Sequence, residues 1–113
     1  MNDCLFCKII KGDIPSTKVY EDEFVYAFLD IEPQAPFHAV IVPKIHVKSA
    51  DEINADNSMY IAKIFEAVAK IAKTENLEKG YRVVNNCGAD GGQTVGHIHF
   101  HLLARRNLQW PPG

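Results

Sequence analysis

No stretch of this 113-residue chain stays apolar long enough to span a bilayer. Its opening Met-Asn-Asp-Cys has neither the basic nor the apolar region of a secretion signal, so a cytoplasmic location and no membrane partner are expected. Basic excess is missing too. The formal net charge is -2, with 23% charged residues of balanced sign, which gives a nucleic-acid backbone little to bind. Cysteine is scarce: three residues, an odd number, do not make a disulfide framework, although Cys4-x-x-Cys7 has the spacing of two metal ligands or a redox couple. Repeats, low-complexity tracts and linkers are absent, so residues 1–113 read as a single domain. It is short enough that oligomerisation would help to bury its surface.

What the chain has is histidine in one place. Three of its five histidines, His97, His99 and His101, alternate with Ile98, Phe100 and Leu102, the signature of a strand with one polar and one buried face. Packing explains this poorly, because a core strand is apolar on both faces and a solvated face more naturally carries Lys, Glu or Thr. Chemistry is the better reading, with an adventitious metal-binding face as the plainer alternative.

The rest of the chain supplies a scaffold. Cys4 to Lys11 spaces Leu5, Phe6, Ile9 and Ile10 one turn apart and ends at Gly12, which predicts a short helix. Thr17 to Tyr20 and Phe24 to Asp30 predict a hairpin, and Phe37 to Val42 a third strand stopping at Pro43. Ser49, Asn54 and Asp56 compete to cap a helix whose inner face is Ile61, Ile64, Phe65, Val68, Ile71 and Ala72. Tyr81 to Asn86 is a fourth strand, turning through the glycine-rich Cys87 to Gly92 into the histidine strand beside it. About five antiparallel strands and two helices make an α+β fold.

Neutral imidazole can attack phosphorus and form a covalent intermediate, splitting one hard displacement into two easier ones. Neighbouring imidazoles can hold its tautomer, supply a proton and bind charged oxygens. Gly91-Gly92-Gln93-Thr94, just upstream, offers backbone N–H groups, an amide and a hydroxyl to phosphate oxygens.

The run His97-Ile98-His99-Phe100-His101-Leu102-Leu103 matches His-x-His-x-His-x-x with x apolar, and the chain resembles the histidine triad superfamily of nucleotide hydrolases and transferases. Leu29-Asp30-Ile31, Pro33-Gln34-Ala35-Pro36, Pro43-Lys44-x-His46, Gly91-Gly92-Gln93 and Trp110-Pro111-Pro112-Gly113 make it most similar to the Hint branch. That resemblance implies a HIT-like fold, a homodimer with sheets joined across a two-fold axis, and hydrolysis of purine nucleoside phosphoramidates, conjugates of AMP or GMP. Dinucleoside polyphosphate hydrolysis, or nucleotide binding in an interaction protein with incidental hydrolysis, are the alternatives. It also implies that His99 attacks the α-phosphorus, His101 assists the leaving group, His97 completes the triad and His38 supports it through a relay of imidazoles. Asn86, Gly92, Gln93 and Thr94 would hold phosphate and leaving-group atoms, and Asp30 the ribose. Phe6, Ile9, Phe28 and Ile31 would flank the purine, or else simply pack. Some bacterial members with the N-terminal cysteine pair have a structural zinc site, which here would be Cys4, Cys7, His46 and His97; two free thiols are the alternative, and the chemistry needs no metal. Trp110 is expected to dock on the neighbouring subunit near its site.

Overall fold

Five short runs rich in β-branched and aromatic residues pair into one antiparallel sheet in the computed structural model, which describes residues 3–113. The strands are β1 (Lys18–Glu21), β2 (Val25–Leu29), β3 (Phe37–Pro43), β4 (Tyr81–Val84) and β5 (Phe100–Ala104), in the spatial order β1-β2-β3-β5-β4. Helix α1 (Leu5–Lys11) precedes them, and α2 (Met59–Thr74) joins β3 to β4. Beyond the two expected helices there is a 3-10 turn at Ala50–Glu52 and a four-residue helix α3, Gly88–Gly91, where a plain turn was expected. No helix is long and apolar enough to cross a membrane among the described residues.

Strand alternation sends two sets of side chains to opposite faces. Val25 and Ala27 of β2, Phe37, Ala39 and Ile41 of β3, and Phe100, Leu102 and Ala104 of β5 meet Ile64, Ala67, Val68 and Ile71 of α2. Ile41, Ile64 and Leu102 are fully buried there, each contributing roughly 1.5–3 kcal/mol of transfer free energy. The opposite face has a smaller cluster, Phe6 and Ile9 of α1 against Tyr26, Phe28, Val40 and Val42. One short helix covers only part of that face, which leaves a cleft beside it.

Local chemistry explains the helix ends. Cys4 caps α1 with its sulfur, which accepts the Cys7 N–H at 3.3 Å. Gly12 closes the helix at φ 88°, a left-handed conformation that favours glycine, with the Asp13 N–H donating to the Lys8 carbonyl at 2.9 Å. None of the three competing residues caps α2. Ser49 instead caps the 3-10 turn through the Asp51 N–H, Asn54 organises the following turn through the Asp56 N–H, and Ser58 precedes α2 without a side-chain bond. Phe65, expected inside, is 50% exposed; α2 turns Ala67 inward instead and leaves Phe65 lying edge-on against Phe100 at the rim.

The histidine strand is shorter than its alternation suggests. Its ladder begins at Phe100, opposite Ile41, while His97 and His99 lie before it. Pro43 has no N–H to extend the ladder, and its carbonyl instead accepts from His97 Nε2 at 3.0 Å. The two-residue period survives outside the ladder because Ile98 donates its N–H to Val47 at 2.7 Å and packs into the α2 core.

Candidate active site

All three triad imidazoles point to the thinly covered face, and that face is far less open than the alternation alone implies. His97 is 0% exposed and His99 4%. The reason is Phe6 of α1, whose ring lies edge-on to His99 at 5.0 Å and to His97 at 6.0 Å. Burial lowers all four of His38, His97, His99 and His101 below the ordinary imidazole range, His97 and His101 to about 4, so the free protein holds them neutral at pH 7.

Backbone partners decide which nitrogen of each ring carries the proton. His99 Nδ1 lies 2.8 Å from the His97 carbonyl. A carbonyl can only accept, so the proton is on Nδ1 and Nε2 keeps a lone pair. His101 is set the other way. The Gln34 N–H donates to His38 Nδ1 at 3.0 Å, so His38 has its proton on Nε2 and donates it to His101 Nδ1 at 2.9 Å. His101 therefore has its own proton on Nε2. One ring presents a lone pair and its neighbour a proton, with centroids 5.2 Å apart.

His99 and His101 open into a cleft of about 620 Å³, walled by Leu5, Phe6 and Ile9 of α1 and by Phe28 and Val40 of the sheet. Asp30, Ile31 and Glu32 form one rim and Thr94 and Val95 the other. Asp30 sits between rim and relay: Oδ1 accepts the Glu32 N–H at 2.8 Å, and Oδ2 is 3.4 Å from His38 Nε2. Phe6, Ile9 and Phe28 are buried as well as lining, whereas Ile31 is 95% exposed. Asn86 and Gly92 are not among the lining residues. Gly92 closes α3 at φ 82°. Gln93 spends its amide inside the protein: Oε1 accepts the Gly88 N–H at 3.1 Å, while Nε2 donates to the Lys48 and Val95 carbonyls at 2.8 and 2.9 Å.

Two residues escaped the sequence reading. Asn85 Nδ2 donates to the His99 carbonyl at 2.9 Å, fastening the backbone that carries the His99 ring. Arg106 Nε donates to the Gln34 carbonyl at 3.0 Å, holding the residue whose N–H orients His38. Neither role has a sequence signal, since both are contacts to main-chain atoms of distant segments.

Cys4, Cys7, His46 and His97 bring four ligand atoms within 4.8 Å of one another. Cys4 Sγ and Cys7 Sγ lie 3.3 and 3.6 Å from His97 Nδ1, and Cys7 Sγ lies 3.4 Å from His46 Nδ1. Tetrahedral zinc, with bonds of roughly 2.3 Å to sulfur and 2.05 Å to nitrogen, would set such pairs about 3.6 Å apart. His97 is also in the right tautomer. Its Nε2–H is spent on the Pro43 carbonyl, which leaves the Nδ1 lone pair facing the sulfurs, the arrangement that orients metal-bound histidines generally. The residues present therefore fit a zinc ion. Burial and the neighbouring Cys4 raise the Cys7 thiol above its ordinary value without one.

A larger groove, about 1040 Å³, lies among Arg82, Arg105, Arg106 and Trp110 and holds none of the histidines. Arg82 ties the tail there, donating to the Leu108 and Gln109 carbonyls at 2.7 and 2.6 Å. Trp110 itself is 81% exposed.

This arrangement has close counterparts. A solved HIT family hydrolase from Legionella pneumophila Philadelphia 1 superposes with a TM-score of 0.95 at 50% identity, covering 98% of this chain and 100% of that one. A 14 kDa zinc-binding protein of Zea mays is 50% identical over 117 residues, 96% of this chain and 87% of its own length. The purine nucleoside phosphoramidase of Escherichia coli (strain K12) is 43% identical over 107 residues, 94% of this chain and 90% of its own. The HIT domain family matches residues 11–108, a span that includes the His99–His101 pair and the His38 relay; the chain belongs to the HIT family.

Proposed function

We propose that the protein hydrolyses purine nucleoside phosphoramidates through a nucleotidyl-histidine intermediate. The observation that carries this reading is the opposite tautomers of two adjacent rings, a lone pair on His99 Nε2 and a proton on His101 Nε2. In the first step His99 Nε2 bonds to the α-phosphorus as the P–N bond breaks, and the amine departs with the His101 Nε2 proton, which a proton taken up from solvent replaces. His101 thus stays neutral, and His99 gains one positive charge by this bond. In the second step water attacks phosphorus, gives up a proton to solvent and releases neutral His99. The His97 carbonyl accepts from His99 Nδ1–H throughout, so the charge develops against a fixed acceptor and no reorganisation is needed.

Charge favours the phosphoramidate over a dinucleoside polyphosphate. The cleft lining contains Asp30 and Glu32 but no Lys or Arg, and its histidines are neutral. A phosphoramidate monoanion with an amine leaving group suits that field better than a polyphosphate chain. Asp30, an acceptor at the rim, would take the ribose hydroxyls, while Phe6, Ile9 and Phe28 offer apolar walls to the base and Thr94 a hydroxyl to the phosphate. Zinc, held by Cys4, Cys7, His46 and His97, would act as a structural tie between α1 and the sheet, since four protein ligands leave no open position. The open edge of β4 supports a homodimer with continuous sheets.

The test is turnover of adenosine 5'-phosphoramidate, a diadenosine polyphosphate and a phosphoanhydride control by one preparation. Preference for the phosphoramidate, with an acid-labile AMP adduct trapped on the chain, is expected. Faster cleavage of the polyphosphate would defeat the substrate assignment, and nucleotide binding without turnover would favour an interaction protein.

A further inference from the structure

Cys4 and Cys7 are free thiols, and among the described residues the polar contacts between the first turn of α1 and the histidines pass through their sulfurs. Cys4 Sγ reaches His97 Nδ1 at 3.3 Å, and Cys7 Sγ reaches the same atom at 3.6 Å and His46 Nδ1 at 3.4 Å. The two sulfurs lie within 4.8 Å of each other, and Cys4 Sγ already sits over the Cys7 N–H. A disulfide of about 2.05 Å would draw them toward one another and away from the histidines. We propose that Cys4 and Cys7 form a reversible oxidation site, and that closing their disulfide releases α1 from the triad and loosens the wall of the nucleotide cleft. The disulfide stands on this geometry alone; its consequence for nucleotide rests on the function proposed for the cleft.

Two links carry the effect inward. Disulfide sulfur has no S–H to donate and no thiolate charge with which to hold a metal, so the contacts to His46 and His97 weaken together. Phe6 lies between the two cysteines in sequence and packs on His99, His97 and Phe28 at 5.0, 6.0 and 5.7 Å. Movement of the first turn therefore moves the ring that covers the nucleophile, along with Leu5 of the same wall. The second link is His97. Its side chain faces the sulfurs while its carbonyl accepts from His99 Nδ1 at 2.8 Å, so one residue joins the thiol pair to the nucleophile's tautomer.

The oxidant is a low-molecular-weight disulfide. The Cys4 thiolate attacks one of its sulfurs, giving a mixed disulfide and one free thiolate. The Cys7 thiolate then attacks the Cys4 sulfur and expels the second. Two electrons pass from the cysteines to the oxidant, which leaves as two thiols carrying the cysteines' protons, or solvent protons where a zinc ion departs instead.

The experiment uses zinc-loaded full-length protein carrying Cys87→Ala, treated with oxidised glutathione and then dithiothreitol. Intact mass should show the loss of two hydrogens, a chromogenic chelator should detect released zinc, and amide exchange over residues 5–11 should accelerate. The AMP dissociation constant should rise about tenfold, and dithiothreitol with zinc should reverse all four changes. A Cys7→Ser variant, whatever its starting affinity, should not respond to oxidant in exchange or in AMP binding. Formation of mixed disulfides only would overturn the site. An intramolecular disulfide with exchange and AMP affinity unchanged within twofold would overturn the coupling. If the reduced, zinc-loaded protein binds no AMP, the functional reading fails, and the exchange of residues 5–11 still decides whether the disulfide releases α1.

Discussion

Two clusters of ligand-type side chains lie around the triad, and the backbone group behind each ring gives them different work. In Cys4, Cys7, His46 and His97, a carbonyl stands behind His97 and takes its outer N–H, so the inner nitrogen offers a lone pair. In Asp30, His38 and His101, an amide stands behind His38 and donates to its outer nitrogen, so the inner nitrogen carries a proton. A metal needs the lone pair and a proton relay needs the proton. A cation at His38 Nε2 would have to push that proton onto Nδ1, against the Gln34 N–H. Both clusters group His with Cys or Asp, yet hydrogen-bond direction leaves a lone pair facing the first and a proton facing the second, which suits the first to a metal and the second to a proton relay.

The comparison breaks most sharply at His99, which belongs to neither cluster and touches both. Replacing His99 with Ala should lower kcat on the order of 10⁴-fold and abolish the trapped AMP adduct, read by quenched turnover. Because His99 is buried, the variant should also lose some thermal stability. Activity within a few-fold of wild type would end the covalent mechanism.

On the relay side, His101→Gln should cost roughly 10²- to 10³-fold in kcat for alkylamine leaving groups, the usual range for a lost general acid. The loss should shrink for arylamines, which need less help in leaving. A uniform loss across leaving groups would show that His101 only binds phosphate. On the metal side, Cys4→Ser with Cys7→Ser should remove zinc and lower Tm by more than about 10 °C, while kcat falls less than it does in the relay variant. Elemental analysis finding no zinc in gently purified wild type would remove the basis of that contrast.

Acid should separate the clusters further. Burial lowers His101 from 6.5 to about 4, so between those values the unfolded chain binds the extra proton. Stability therefore rises with pH across that window, falls on acidification through it and levels off below it. His101→Gln should flatten the slope of Tm against pH between about 4 and 6.5, and the acid limb of kcat/KM should lie below the ordinary imidazole value. The smallest effect is expected at Asn85→Ala, where one hydrogen bond to the His99 carbonyl is worth about 0.5–1.5 kcal/mol, a two- to tenfold change in kcat with KM little altered.

Sequence alone determined the strand alternation and the order of the main strands and helices, because period-2 patterning and the spacing of Cys4, Cys7 and the triad are local properties. The family resemblance pointed to His38, Phe6 and Phe28, which lie by the triad or its cleft, and also to Asn86 and Gly92, which do not line that cleft. Only the tertiary structure decided what each ring can do. A tautomer depends on whether a distant backbone presents a carbonyl or an amide, as Pro43, His97 and Gln34 do, and no local pattern encodes that. Nor could alternation reveal that α1 would cover His99, or that the Gln93 amide would brace the Lys48 segment. Those outcomes arise from packing between segments far apart in the chain, where burial lowers the imidazoles and fixed hydrogen bonds choose which nitrogen keeps its proton.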